Sequence, residues 1–505
     1  MHFLKRMMYS AKTFSNKVAL VSSGMNHTYL QLFSSAYNMY QQFTVHTNRQ
    51  NKVCMIVAEK SISLYQSLLA CFFSNLIYMP VNVSASLDRN KKIAQLADPD
   101  FICIGDCRFD IACQLLCALE YKTVFVLNAQ LYSLLLNVGL THHFILISAN
   151  TDIETPCYDI IFSPEDDISY LFFTSGSTGV PKGVPISNHN LSSYIDSIFS
   201  LFRFTETDRV LQSSDIAFDL SIHEILTAWC AGATLYVYDD ANSLGVSNFI
   251  DAHKITHGFF VPSSIPVLEK QCTYFNLSLL SLKKIFFCGE VFPLSYARIL
   301  EQLAPRSSIV NLYGPTETTI ACTYHFYRKN EDYGSLQSVP IGFSFPSVSL
   351  NLSHDGELLI EGDQVFSGYW PSLSEHVDPI SYRTGDYVSF DARWGYIFHA
   401  RKDDQWQIQG YRIEKNEVEY ALRSVLRQDE IYVIPQYHES SLSQKLLAFS
   451  TSHLDMTKYK KQLASFIPIG VIPDCCIQIN SIPKLPNGKV DYKAFNAMSR
   501  GGVCV

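Results

Sequence analysis

Short apolar runs alternate with longer amphipathic segments through most of this chain. Val53-Cys54-Met55-Ile56-Val57, Phe101-Ile102-Cys103-Ile104, Thr123-Val124-Phe125-Val126-Leu127 and Ile285-Phe286-Phe287-Cys288 read as buried strands. Between them, Ser61 to Phe73 and Leu294 to Leu303 carry the helical period. Strand and helix in alternation predict parallel sheets with helical crossovers. Near Ser349 to Gly362 the pattern shifts to short hairpins, with Asp355-Gly356 as a tight-turn signal. After Asp403 it changes again. Glu414 to Leu422 opens a helix with acidic residues at its start, and strand-like Glu430 to Pro435 and Leu446 to Phe449 follow. The fold class predicted is α/β. It has a large N-terminal domain of parallel-sheet layers with a β-barrel-like part (1–402) and a small, mobile α+β domain (403–505). Leu64 to Val81, the most apolar stretch, is broken by Gln66, Ser67, Ser74 and Asn75. It reads as a helix running into a strand and not as a membrane span.

Composition narrows the function. With 505 residues the chain is long enough for two or three domains, and 47% hydrophobic against 17% charged residues describes a well-buried protein. A net charge of −8 without Lys/Arg clusters argues against a general nucleic-acid binder. The fourteen cysteines include no Cys-x-x-Cys pair. Cys103, Cys107, Cys113 and Cys117 are irregularly spaced, so buried free thiols in a reducing compartment are expected, and a cytoplasmic location with them. The basic N-terminus lacks the apolar core of a signal peptide.

The chemistry concentrates in a few segments. The strand-like Ile168 to Phe173 leads into Thr174-Ser175-Gly176-Ser177-Thr178-Gly179-Val180-Pro181-Lys182-Gly183. Glycines there let the backbone curl closely, hydroxyls and N–H groups offer donors to phosphate oxygens, and the lysine adds a mobile charge. It is not a Walker A loop, in which the lysine precedes the hydroxyl. Taken alone, such a loop is an ordinary flexible turn. Further on come Asn311-Leu312-Tyr313-Gly314-Pro315-Thr316-Glu317, Tyr382-Arg383-Thr384-Gly385-Asp386, Ala400-Arg401-Lys402-Asp403, Gly410-Tyr411-Arg412-Ile413-Glu414 and Pro486-Asn487-Gly488-Lys489. Each also has a bland reading as a turn or a helix cap.

In this order and spacing the segments resemble the adenylate-forming superfamily: amino-acid adenylation domains, acyl-CoA synthetases and luciferases. The resemblance implies ATP and Mg2+, and activation of a carboxylate as its adenylate. It places Thr174, Ser175, Gly176, Ser177, Thr178, Gly179 and Lys182 around the β- and γ-phosphates. Tyr313 lies against the adenine, Asn311 and Gly314 belong to the ATP site, and Asp386 and Arg401 hold the ribose and nucleotide. Thr316 binds the α-phosphate and Glu317 the metal, a hard cation suited to carboxylate oxygen. Lys489 bridges the substrate carboxylate and the α-phosphate, and Asp403 is the hinge.

Ala217-Phe218-Asp219-Leu220-Ser221 resembles the Phe-Asp-x-Ser motif of amino-acid-activating members, whose Asp pairs with the α-ammonium. Asp219 as a plain helix N-cap is the alternative. The pocket positions carried over are Leu220, His223, Phe260, Phe286, Cys288, Leu312, Ile320 and Ala321. Their bulk predicts a small substrate, alanine-like, with D-alanine among the candidates. Phe286-Phe287-Cys288-Gly289-Glu290 is similar to the D-alanine–D-alanyl carrier protein ligase family. His223 departs from the apolar residue expected there, either bonding a polar side chain or sitting as a satisfied core group.

The predicted function is a ligase that adenylates a small amino acid and loads a phosphopantetheinylated carrier protein in trans. An acyl- or aryl-CoA ligase and a catalytically weak binding module are the rivals. Two positions depart from the pattern. Ala400 replaces a glycine, and Gln407 replaces a lysine that faces the site during thiol transfer. The second predicts a slower transfer step.

Overall fold

The computed structural model describes residues 3–46, 52–83, 87–120, 122–147, 160, 164–174, 181–239, 244–372, 381–403, 405–437, 444–484 and 490–499. A seven-stranded sheet runs, edge to edge, through His143–Leu146, Thr123–Val126, Phe101–Ile104, Lys52–Val57, Leu76–Val81, Ile168–Thr174 and Lys182–Ser187. Its pairings are parallel until the last, where Ile168–Thr174 and Lys182–Ser187 form an antiparallel pair. A nine-stranded sheet holds Ser308–Tyr313, Lys284–Phe287, His257–Phe260, Arg209–Gln212 and Thr234–Val237 as parallel neighbours, with antiparallel pairings at both ends.

The two sheets share one core. Ile56 and Tyr78 of the first sheet and Leu235, Phe259 and Phe286 of the second belong to a single apolar cluster, joined by Leu68, Tyr194 and Trp229 from helices. The helix Ile62–Ser74 is buried at every position but its first, as expected for a helix covered on all sides. Asn75, left-handed at φ 58°, ends it and sends the chain into Leu76–Val81. The apolar run 64–81 is therefore a core helix and strand. The helix Leu220–Cys230 is equally enclosed. Trp229 fits because its Nε1 donates to the Ala19 carbonyl at 3.1 Å.

A four-stranded antiparallel sheet follows, Val348–Leu352, Glu357–Gly362, Tyr382–Asp391 and Gly395–Arg401. Gly356, at φ +85°, closes its first hairpin as the Asp-Gly signal predicts. Beyond it lie the hairpin Gln405–Ile408 and Tyr411–Glu414, the helix Lys415–Leu426, and a three-stranded sheet of Ile431–Tyr437, Gln444–Ser450 and Cys475–Gln478. Among the described residues, three apolar clusters draw on positions up to Phe398 and two on positions from Trp406 onward.

The expectation of buried free thiols needs adjustment. Cys54, Cys71, Cys103, Cys230, Cys272, Cys288, Cys322 and Cys476 are buried free thiols, but Cys117 is exposed and Cys475 is disulfide-bonded. Among the described residues, no His, Cys, Asp and Glu side chains gather as a metal cluster, and no helix is long and apolar enough to cross a membrane.

Candidate active site

A cavity of about 1450 Å3 lies where the large sheets, the four-stranded sheet and the post-403 hairpin meet. Strand ends build much of its wall. Thr174 ends one strand and stands opposite Lys182 in the antiparallel pair, so the glycine-rich loop begins and ends at one place. Thr174 lines the cavity. Lys182 does not, and its Nζ lies 5.1 Å from the Tyr369 ring centre. Ser175, Gly176, Ser177, Thr178 and Gly179 lie outside the described residues, as does Lys489.

The strand Ser308–Tyr313 brings Asn311, Leu312 and Tyr313 to the wall and runs through Gly314 into a short turn, Thr316–Thr318. A Cβ on Gly314 would stand 2.6 Å from the Ala321 Cα, so only glycine fits. Asn311 is buried and donates to the Val339 and Pro340 carbonyls at 3.2 and 2.9 Å. Thr319 and Ile320 follow at φ 60° and 70°, an uncommon region for a β-branched residue. Gln364, fully buried, holds this turn. It donates to the Thr318 and Ala321 carbonyls at 3.2 and 2.7 Å, and its own carbonyl accepts from Thr319 Oγ1 at 2.6 Å.

On the opposite wall the hairpin of Tyr382–Asp391 and Gly395–Arg401 sets Asp386 directly across from Arg401. Arg401 Nη1 donates to Asp386 at 2.7 Å, and Tyr313 Oη donates to the other carboxylate oxygen at 2.5 Å. Arg401 also grips Asp403 with two bonds of 2.8 Å. Burial pushes the Asp386 carboxyl up while Arg401 and Tyr313 pull it down.

The acidic residues differ. Asp219 is 6% exposed, in helical backbone conformation, and makes no capping bond, which removes the N-cap reading. Its Oδ2 has no hydrogen-bond partner among the described residues. Burial pushes its carboxyl up to about 6 against a bond from Thr316, with Glu317 adding repulsion. Glu317 is 1% exposed. It accepts from Tyr369 Oη at 2.9 Å and from Arg412 Nη1 at 2.8 Å. Burial opposes its charge, yet Arg412 and Tyr369 hold it below the ordinary glutamate range.

Arg412 enters from the Gln405–Glu414 hairpin, which also docks elsewhere. Gly410 N donates to Glu290 at 2.7 Å and Tyr411 meets Phe218 edge-on at 5.4 Å, while on the helix that follows Glu417 pairs with Arg89 at 3.0 Å. Gln407 faces the cavity, its Oε1 3.6 Å from where a Cβ on Gly289 would stand. Sequence reasoning assigned no role to Arg412, Tyr369, Gln364 or Glu290. The Arg412–Glu317 contact spans 95 positions, and no local pattern announces it.

Of the substrate positions, Asp219, Leu220, Cys288, Leu312 and Ile320 line the cavity, and His223, Phe260, Phe286 and Ala321 do not. The corrections follow from packing. Strand alternation turns Phe259 and Phe286 toward the shared core and Phe260 toward the opposite face, beside Phe287. His223 sits behind the wall, its Nδ1 2.6 Å from Tyr194 Oη and its ring 4.5 Å from Phe259. Burial holds it down to about 3, so it is a neutral core group. Ala321 is fully buried in the turn under Gly314.

Comparison with known proteins adds the family. The model for AMP-binding enzymes matches residues 8–370. An L-proline–[L-prolyl-carrier protein] ligase of Streptomyces coelicolor is 31% identical over 349 residues, 65% of this chain and 65% of that protein. One from Pseudomonas fluorescens is 26% identical over 512 residues, covering 98% of this chain and 99% of that protein. A Staphylococcus aureus D-alanine–D-alanyl carrier protein ligase is 28% identical over 451 residues, with 84% and 85% covered. Among solved structures, the Vibrio cholerae adenylation domain AlmE in complex with glycyl-adenosine-5'-phosphate has a TM-score of 0.85 at 24% identity, over 99% of this chain and 97% of that one. That likeness is one of fold.

Proposed function

Because the chain belongs to the AMP-binding enzyme family, we propose that it is an ATP-dependent amino acid–carrier protein ligase. It adenylates a small amino acid and passes it to the phosphopantetheine thiol of a separate carrier protein. One observation carries the reading: the buried Oδ2 of Asp219 on the cavity wall, without a hydrogen-bond partner among the described residues. A buried carboxylate oxygen without a donor suits a ligand that brings one, and the α-ammonium of an amino acid does. Fatty and aryl acids bring none. Leu220, Cys288, Leu312 and Ile320 restrict the neighbouring space, and the relatives named for proline and D-alanine point to small substrates too.

In this reading Asp219 takes the ammonium and Asp386 the ribose hydroxyls, displacing Tyr313 Oη. The substrate carboxylate attacks the α-phosphorus, the bond to pyrophosphate breaks, and Thr316 bonds the α-phosphate. Lys489 and the Ser175–Gly179 loop act as their motifs imply. Glu317 has the donor type for Mg2+, which would offset phosphate charge there. Each of its oxygens accepts one hydrogen bond here, and withdrawal of the competing Arg412 charge would favour a cation at the carboxylate. Rotation about Asp403, between a unit of 1–402 and one of 403–505, would withdraw Arg412. The carrier thiol then attacks the acyl carbon and AMP leaves. Gln407 supplies no cation for that step, so transfer is the slower half. The reading goes with a cytoplasmic location.

The test is ATP–pyrophosphate exchange across the L-amino acids, glycine and D-alanine. Exchange with a small amino acid, lost in Asp219→Ala and Lys489→Ala, is expected. Exchange only with acids that lack an amine would overturn the reading in favour of an acyl-CoA ligase.

A further inference from the structure

Glu224 lies one turn into the helix that begins at Leu220, fully buried, and no step above uses it. Its carboxylate folds back onto the loop that leads to Asp219. Oε1 accepts from Ser213 N at 3.2 Å, Ser213 Oγ at 3.4 Å, Ser214 N at 3.3 Å and Ser214 Oγ at 3.0 Å. Oε2 accepts from Gln212 Nε2 and Ser214 N, each at 3.3 Å. The Ser213 and Ser214 amides and the Gln212 side-chain NH2 can only donate, so they call for acceptor oxygens, while the two serine hydroxyls adapt to either role. Gln212 is oriented for this by Tyr65, whose hydroxyl donates to its carbonyl at 3.0 Å. Lys60 Nζ holds the same loop from the other side, donating to the Ser213 carbonyl at 2.9 Å.

The next residues are fixed in turn. Asp215 accepts from Ala217 N at 3.0 Å and from Asn82, and Phe218 N donates to the Asp215 carbonyl at 3.0 Å. Asp219 follows at once. Its carbonyl accepts from Ile222 N at 3.0 Å in the first helical turn, so its placement depends on that turn and on the loop that feeds it.

We propose that Glu224 is a positioning residue for amino-acid recognition, clamping the 212–218 loop so that Asp219 meets the substrate ammonium. The proposal rests on the reading of Asp219 given above. Placing a charged acceptor to within a fraction of an ångström matters most for the ligand it bonds. ATP has its own contacts at Asp386 and Arg401.

Glu224→Gln tests it at pH 8, since burial pushes the carboxyl up to about 7 against the pull of Lys60 and the loop donors. The amide keeps the shape but turns one acceptor into a donor facing donors. We expect the KM for the amino acid to rise about tenfold, with kcat and the KM for ATP within about twofold of wild type. Hydrogen exchange at the Ser213 and Ser214 amides should quicken in the same variant. Equal changes in both KM values, an unchanged amino-acid KM, or unchanged exchange would overturn the proposal. If the wild type shows no amino-acid-dependent pyrophosphate exchange, the functional reading fails instead, and the amide rates still decide whether the clamp exists.

Discussion

Asp219, on the cavity wall, and Glu317, which does not line the cavity, are both buried carboxylates, and Thr316, which lowers the first's pKa against burial, is the chain neighbour of the second. One keeps an oxygen without a donor and is pushed up to about 6 by burial. The other is equally buried but has Arg412 and Tyr369 and is held down. Burial alone therefore does not set their charge; the supply of donors does. Among the described residues Asp219 keeps an open acceptor on the cavity, whereas Glu317 is completed by Arg412 and Tyr369.

The contrast can be broken at either carboxylate. Asp219→Ala should lower amino-acid-dependent exchange by about a hundred- to a thousandfold with ATP binding kept, as loss of one partner of a buried charge pair does. Arg412→Ala leaves Glu317 buried without its cation. A cost of roughly 3 kcal/mol is expected by urea unfolding, most of it recovered in the Arg412→Ala/Glu317→Gln double variant. Independent, additive costs would show that the pair is not coupled.

Smaller effects follow from pH. On the proposed reading, the ammonium pairs with Asp219 only when it is ionised, so kcat/KM for the amino acid should fall about tenfold per pH unit below 6, a limb that Asp219→Asn lacks. Stability runs the other way. A carboxyl raised from 3.8 to about 6 favours the folded state when protonated, and that contribution is lost as pH rises through this window. Asp219→Asn should therefore have a higher Tm than wild type at pH 7.5, measured by calorimetry. Last, His223→Phe should cost about 1 kcal/mol by leaving Tyr194 Oη unpartnered, without changing which amino acid is chosen.

What was legible in the sequence was local. The strand Lys52–Val57 and the helix Leu294–Leu303 follow from periodicity, and the Asp355-Gly356 hairpin from turn chemistry. Motifs singled out Asp219, Asp386 and Arg401 one by one, but that Asp386 and Arg401 stand opposite each other on neighbouring strands came only with the fold. That Phe260 packs beside Phe287 could not be read locally, because which face a strand residue takes depends on register with its neighbours. His223 was ambiguous because its partner, Tyr194, lies on a different helix. Arg412 and Glu317 meet only through tertiary packing.

The Gly410 contact has a practical consequence. The donor to Glu290 is a backbone amide, so the hairpin tip is held by an atom that every residue except proline possesses. A side-chain scan would still score position 410 as sensitive. Its φ is +81°, and a Cβ there would stand 3.0 Å from Val261. Alanine at 410 would report crowding and backbone strain, and the hydrogen bond from this amide to Glu290 would go unseen. An amide-to-ester replacement at that peptide group, which deletes the N–H and adds no atoms to the side chain, is the substitution that reads it.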